Sequence, residues 1–86
     1  MRHFDDAAVR RLLRLEALLP ALRRAFIDLS TARVVQPLRT VHELPAPHSL
    51  LFLKPVVTRE ALAVKLITQF PDNPARGLPT MLATLV

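Results

Sequence analysis

The sequence contains no cysteine and a single glycine, Gly77. Without cysteine, neither a disulfide framework nor a thiolate metal site can compensate for a small core, and the absence fits a reducing, cytoplasmic setting. With one glycine there is no Gly-rich phosphate loop, because a dinucleotide fold needs several glycines at a strand-to-helix turn. Aromatic residues are scarce: four phenylalanines stand at positions 4, 26, 52 and 70, not at the spacing that stacks bases along a strand. No apolar run approaches the ~20 residues needed to span a bilayer. The opening "MRHFDDAAVRR" also lacks the apolar core and small-residue cleavage site of a secretory signal. The expectation is a cytoplasmic protein whose partners are neither nucleic acid nor membrane.

What is present points the same way. The net charge of +5 comes from twelve basic residues, and only Lys54 and Lys65 among them are lysine. Arginines spread along the chain read as a solvated surface rather than a phosphate-binding stripe. His3, His42 and His48 have no metal-ligand spacing. At 86 residues and 51% hydrophobic, the chain is more apolar than its small volume can hide. It must pair with another chain, leave apolar surface in water, or be a piece of something larger. Thr80 to Val86 is apolar and β-branched, with neither charge nor turn residue to end it. The sequence therefore reads as residues 1–86 of a domain truncated at its C-terminus.

Hydrophobic periodicity organises the chain into helices and then strands. Asp5 or Asp6 can cap a short helix through "AAVRRLL". In "RLEALLPALRRAFIDLS", Leu15, Leu18, Leu19, Leu22, Phe26 and Leu29 recur at three- and four-residue steps and make one stripe. Pro20 is tolerable there if that helix begins near Glu16 or Ala17, which places it in the first turn. From Val34 the period becomes two. "VVQPLRTVHEL" sets Val35, Arg39, Val41 and Glu43 on one face. "SLLFLKPVV" and "ALAVKLITQF" follow as strands joined through "TRE", and "PDNPARG" is a turn leading to the start of a fourth strand. The fold class is α+β: two N-terminal helices, then a mainly antiparallel sheet of three to four strands.

Two cations stand inside apolar strands, Arg39 and Lys65. Paired on neighbouring strands they can hold a carboxylate, Arg39 by two parallel charge-assisted hydrogen bonds and Lys65 as a point charge. The alternative is that both run their stems along the sheet and keep their charged heads in water. Asp72 and Asn73 read as turn-forming residues.

The runs "VVQPLRTV" and "AVKLITQFPDNPARGLPT" closely resemble the N-terminal part of the ornithine cyclodeaminase and mu-crystallin family, and "EALLPALRRAF" looks like that family's second helix. The resemblance begins near Ala7 and is most specific from Lys65 to Thr80. It implies that Arg39 and Lys65 bind the α-carboxylate of a small amino or imino acid, that Thr80 approaches a nicotinamide dinucleotide, and that no catalytic residue lies in this chain. The chain departs from the family at Lys54 to Val57, where members often have Met-Pro-Ala-Tyr, and at Ala63, where glycine is common. Full members continue into a strand that completes a dimerisation sheet, then a Rossmann domain that binds NAD or NADP and carries a catalytic aspartate. The resemblance thus implies an N-terminal fragment of an NAD(P)-dependent ornithine cyclodeaminase or imine reductase. Such a fragment is inactive alone, holds no cofactor by itself, and is completed by a homo-oligomer or the missing C-terminal domain. A non-catalytic dimerisation or interaction module is the competing reading.

Overall fold

The computed structural model describes residues 1–86 and divides them into two compact units, Met1–Arg33 and Val34–Val86. The first is helical. Helix α1, Asp6–Leu12, starts where the Asp5 carboxylate accepts a hydrogen bond from the Ala8 amide at 2.8 Å, and Asp6 pairs with Arg10 one turn on at 2.9 Å. A capping aspartate satisfies one of the amides that a helix start leaves free.

Helix α2, Leu15–Ser30, begins earlier than the proline suggests. Pro20 therefore lies in the second turn, where it removes the hydrogen bond that its amide would give the Glu16 carbonyl. The helix continues because Leu, Ala and Arg dominate the residues that follow. Its end is a Schellman arrangement: Arg33 N–H donates to the Asp28 carbonyl at 2.9 Å and Ala32 N–H to that of Leu29 at 3.3 Å. Ala32 carries the required left-handed backbone, φ 59°, at a position that usually takes glycine. The apolar stripe has little cover; Leu18 is half-buried and Leu19, Leu22 and Phe26 are exposed.

The second unit is one antiparallel sheet in the order β1-β2-β3-β4, with β1 Thr40–Glu43, β2 Leu50–Val57, β3 Leu62–Gln69 and β4 Met81–Leu85. The α+β reading of the sequence holds. Strand β1 is shorter than the alternating run from Val34, because Pro37 has no amide to give the ladder and Pro55 on β2 has none either. Pairing resumes at an isolated bridge, Val35 with Val57, whose amides and carbonyls bond reciprocally at 2.9 and 2.8 Å. From Thr40 back to Val35 is five residues, whereas from Leu53 on to Val57 is four. One extra residue is thus accommodated in Gln36–Arg39 as a bulge. The bulge sends Val35 to the opposite face from Val41, which corrects the single face drawn from strict alternation.

The connections are specific. Thr58 N–H donates to the Ala61 carbonyl at 2.8 Å, and the Thr58 hydroxyl oxygen accepts from the amides of Glu60 and Ala61 at 3.2 and 3.0 Å. The β3 to β4 loop contains a 3-10 turn, Asn73–Arg76, closed by Gly77 at φ 74°. Across that loop the Asn73 side-chain amide donates to the Pro79 carbonyl at 3.0 Å. Asn73 is therefore a structural clamp, as its place in the turn suggested. Ile67 is the one apolar residue that counts as buried, at 9% exposure, and no side chain is fully buried.

Two left-handed positions carry opposite residues, and exchanging them has opposite effects. Ala32→Gly is expected to stabilise α2 and Gly77→Ala to destabilise the β3 to β4 loop, each by about 1–2 kcal/mol, the ordinary cost of a Cβ in that conformation. No atom lies within 4 Å of a Cβ built on Gly77, so any loss there is conformational rather than steric crowding. Urea unfolding followed by circular dichroism measures both; a neutral Gly77→Ala would contradict the assignment.

Candidate functional site

Cross-strand partners in an antiparallel sheet lie on the same face, so the register lays out the site directly. One face carries Val41 and Glu43 of β1, Leu50, Phe52, Lys54 and Val56 of β2, Ala63, Lys65, Ile67 and Gln69 of β3, and Met81, Ala83 and Leu85 of β4. Arg39 stands immediately before β1, and its guanidinium carbon lies 5.4 Å from the centroid of the Phe52 ring. That contact puts Arg39 on the same face and fixes the fork by cation–π attraction. One register step beyond Thr40 and Leu53, Arg39 comes beside Lys54. Lys54 is in turn the direct partner of Lys65.

The three cations Arg39, Lys54 and Lys65 consequently form a row across three strands. This differs from the expected pairing of Arg39 and Lys65 on neighbouring strands: β2 runs between them and sets them about two strand spacings, ~10 Å, apart. No protein carboxylate answers the row, since both ion pairs of the chain, Asp6–Arg10 and Arg14–Glu16, lie in the helical unit. Glu43 shares the face but pairs with Leu50, four residues along β2 from Lys54. Apolar rows flank the cations, with Val41, Phe52, Ile67 and Ala83 on one side and Val56 and Ala63 on the other. Such a surface can grip an anion through its charges while its carbon skeleton lies on hydrocarbon. Arg39 and Lys65 are exposed and Lys54 is half-buried.

Thr80 is elsewhere. It is half-buried at the end of the β3 to β4 loop, and its carbonyl accepts from the Phe70 amide at 2.8 Å. It stands five residues along from Leu85, the partner of Lys65, or about 17 Å at strand rise. Its register parity matches that of Leu82 and Thr68, on the face opposite the cations. Arg39 and Lys65 therefore share a face, and Thr80 is not brought to them within this chain.

Lys54 is the cation of the row that the sequence does not single out as a site residue. Turn length was the available signal. Once Thr58–Ala61 is the connection, Val57 meets Leu62, and counting outward brings Lys54 opposite Lys65.

Known proteins give this geometry a context. Over 79 residues the chain is 39% identical to a Δ1-pyrroline-2-carboxylate/Δ1-piperideine-2-carboxylate reductase of Azospirillum brasilense, a match covering 92% of this chain and 25% of that protein. Δ1-pyrroline-2-carboxylate reductase 1 of Burkholderia multivorans is 36% identical over 83 residues, covering 96% and 26%. The fold matches that of Thermococcus litoralis Δ1-pyrroline-2-carboxylate reductase, whose structure is in complex with NADH and L-proline, with a TM-score of 0.85 and 28% identity over 99% of this chain and 27% of that one. These relatives are reductases of pyrroline and piperideine carboxylates, and they bear out the resemblance to the ornithine cyclodeaminase and mu-crystallin family. It spans about a quarter of the length of the relatives it matches. An archaeal alanine dehydrogenase dimer with bound NAD shares the fold, with a TM-score of 0.83 at 22% identity over 96% of this chain and 25% of that one. No family model matches the chain.

In this chain two ammonium groups face each other directly across β2 and β3, an arrangement that costs stability when nothing neutralises it. Lys54→Glu converts the pair with Lys65 to opposite charges and is expected to stabilise the sheet by about 0.2–1 kcal/mol at low salt. Added salt should raise the melting temperature of the wild type by screening, and lower that of Lys54→Glu. Thermal melts across a salt series check the pairing, and identical salt slopes would refute it.

Proposed function

We propose that this chain is the substrate-binding and dimerisation part of an NAD(P)-dependent imine reductase or ornithine cyclodeaminase, and that it holds the α-carboxylate of a small cyclic imino acid or amino acid. The observation that carries this reading is the placement of Arg39 and Lys65 on one face without a protein carboxylate to neutralise them. Likeness to reductases named for pyrroline and piperideine carboxylates supports it. The guanidinium of Arg39 offers a planar two-pronged donor and Lys65 a point charge, which suits one carboxylate approached from two sides. The neighbouring apolar rows receive the ring or chain carbons.

The family chemistry moves a hydride between a nicotinamide and the carbon bearing nitrogen, and that hydride belongs to the cofactor. The residues of this chain do not fit a dinucleotide. No strand here leads into an α-helix whose N-terminus could cradle a pyrophosphate, and the one glycine caps a four-residue 3-10 turn. In the proposal Thr80 contributes a single contact to a nucleotide bound by the rest of such an enzyme, and this chain by itself transfers no hydride. The proposed setting is the cytoplasm. No helix is long and apolar enough to cross a membrane.

Titration of the chain with L-proline, followed by amide chemical shifts, tests the reading. Shifts should centre on Arg39 and Lys65. Arg39→Lys and Lys65→Met should each weaken binding by about ten- to hundredfold, the worth of one charge-assisted contact of ~1.5–3 kcal/mol. NADH should produce no micromolar binding in calorimetry. Unchanged proline affinity in both variants would remove these residues from the site.

A second reading, a dimerisation module without catalysis, has its own support in β4. That edge strand leaves Met81, Leu82 and Leu85 exposed at 53%, 48% and 71%, beside backbone groups open to another strand. Under either reading the chain should self-associate. Sedimentation at rising concentration measures this, and a monomer throughout would exclude edge pairing.

A further inference from the structure

The cation row contains one positive charge more than an α-carboxylate grip requires. Arg39 and Lys65 account for the grip, and the proposal below rests on that reading. Lys54 lies between them on β2, half-buried, directly opposite Lys65 and one register step from Arg39. Its ammonium has no carboxylate partner. An unbranched cation held in the middle of a strand, facing another cation, is an unfavourable arrangement that an anion of higher charge reverses.

We infer that Lys54 is a specificity-determining residue that selects ligands carrying a second acidic group. Geometry supports two carboxylates rather than one. Adjacent strands are ~4.8 Å apart, and a three-carbon spacer separates two carboxylates by about that distance. One carboxylate then meets Arg39 and Lys54, and the other meets Lys54 and Lys65, so each negative group touches two cations and the lysine pair is bridged. Phe52 and Ile67 form the apolar floor beside the spacer, on the same face. A monocarboxylate, held by Arg39 and Lys65 alone, leaves the Lys54 ammonium between them unneutralised. The ligand class is therefore a dicarboxylate, which includes imino or amino acids with an acidic side chain.

The test uses the whole chain, with glutarate as the dianion and butyrate as the monoanion of equal spacer chemistry. Amide shifts report both affinity and location. The wild type is expected to bind glutarate about tenfold more tightly than butyrate, the effect of one added charge-assisted contact on a half-exposed surface. In Lys54→Met, which keeps the unbranched stem, the ratio should fall to within about twofold while butyrate affinity stays as it was. Lys54→Gln should give the same ratio and guards against a packing effect special to methionine. The wild-type ratio needs no variant, so equal affinities for the two anions overturn the inference outright. A preference that persists in both variants overturns it as well. The underlying carboxylate reading fails separately, if butyrate binding is indifferent to Arg39→Lys and Lys65→Met.

Discussion

The turn that joins β2 to β3 decides what the sheet presents. Thr58 closes it twice, through its amide to the Ala61 carbonyl and through a hydroxyl that accepts from Glu60 and Ala61. With the turn fixed, Val57 pairs with Leu62 and every later pair follows, Lys54 with Lys65 among them. Side chains alternate along a strand, so a slip of one residue would carry Lys65 to the other face and leave Lys54 opposite an apolar neighbour. The facing lysines oppose their own register electrostatically. Thr58 and the apolar pairs Phe52 with Ile67 and Leu53 with Leu66 hold it nonetheless.

The second constraint is the pair of prolines that interrupts β1. Pro37 and Pro55 remove donors from the same stretch of the ladder, and the strand absorbs one extra residue before pairing again at Val35. A bulge re-aims the side chains around it. Arg39 sits where regular pairing is about to begin, so its guanidinium can lean over Phe52 instead of following a fixed ladder direction. The arginine is thereby positioned by an aromatic ring and the lysines by backbone register, two different devices converging on one row.

Much of this was legible in the sequence and some was not, for physical reasons. The change from helical to alternating periodicity near Val34 located the division into helices and strands. The apolar content of β2 and β3 and the turn residues between them locate those two strands closely. Alternation could not reveal the bulge, since it assumes that every residue of "VVQPLRTV" takes its turn on the ladder. The cost of an interior proline argues for Pro20 in a first turn, yet the helix-forming residues after it outweigh that cost. Ala32 gives no sign of a left-handed cap, because that position usually takes glycine and seldom a residue with a Cβ. The pairing of Arg39 with Lys65 failed in a more instructive way. Strand order cannot be read from periodicity, and an up-and-down sheet puts β2 between β1 and β3. The roles expected for Arg39, Lys65 and Thr80 came from family resemblance; neither composition nor spacing supplied them.

Backbone pairing and water exclusion make separate contributions to such a site. The ladder determines where Arg39, Lys54 and Lys65 stand, and it does so with Ile67 as the sole buried apolar residue and no side chain fully buried. Position therefore does not depend on a deep core. The strength of each contact does depend on what surrounds it, because two charges attract far more strongly once water is removed, and an unpaired cation becomes correspondingly costly. Phe52, Val56 and Val41 border the row on its own face and are incompletely buried. Any surface that covers those side chains would dry the cations at the same time. An arriving carboxylate and such a cover would then favour one another: the anion removes the penalty for burying three like charges, and the cover raises the worth of every contact the anion makes. On the proposed reading, a carboxylate held weakly on the open sheet would be held selectively once the row is covered, through the same three residues and without moving the strands.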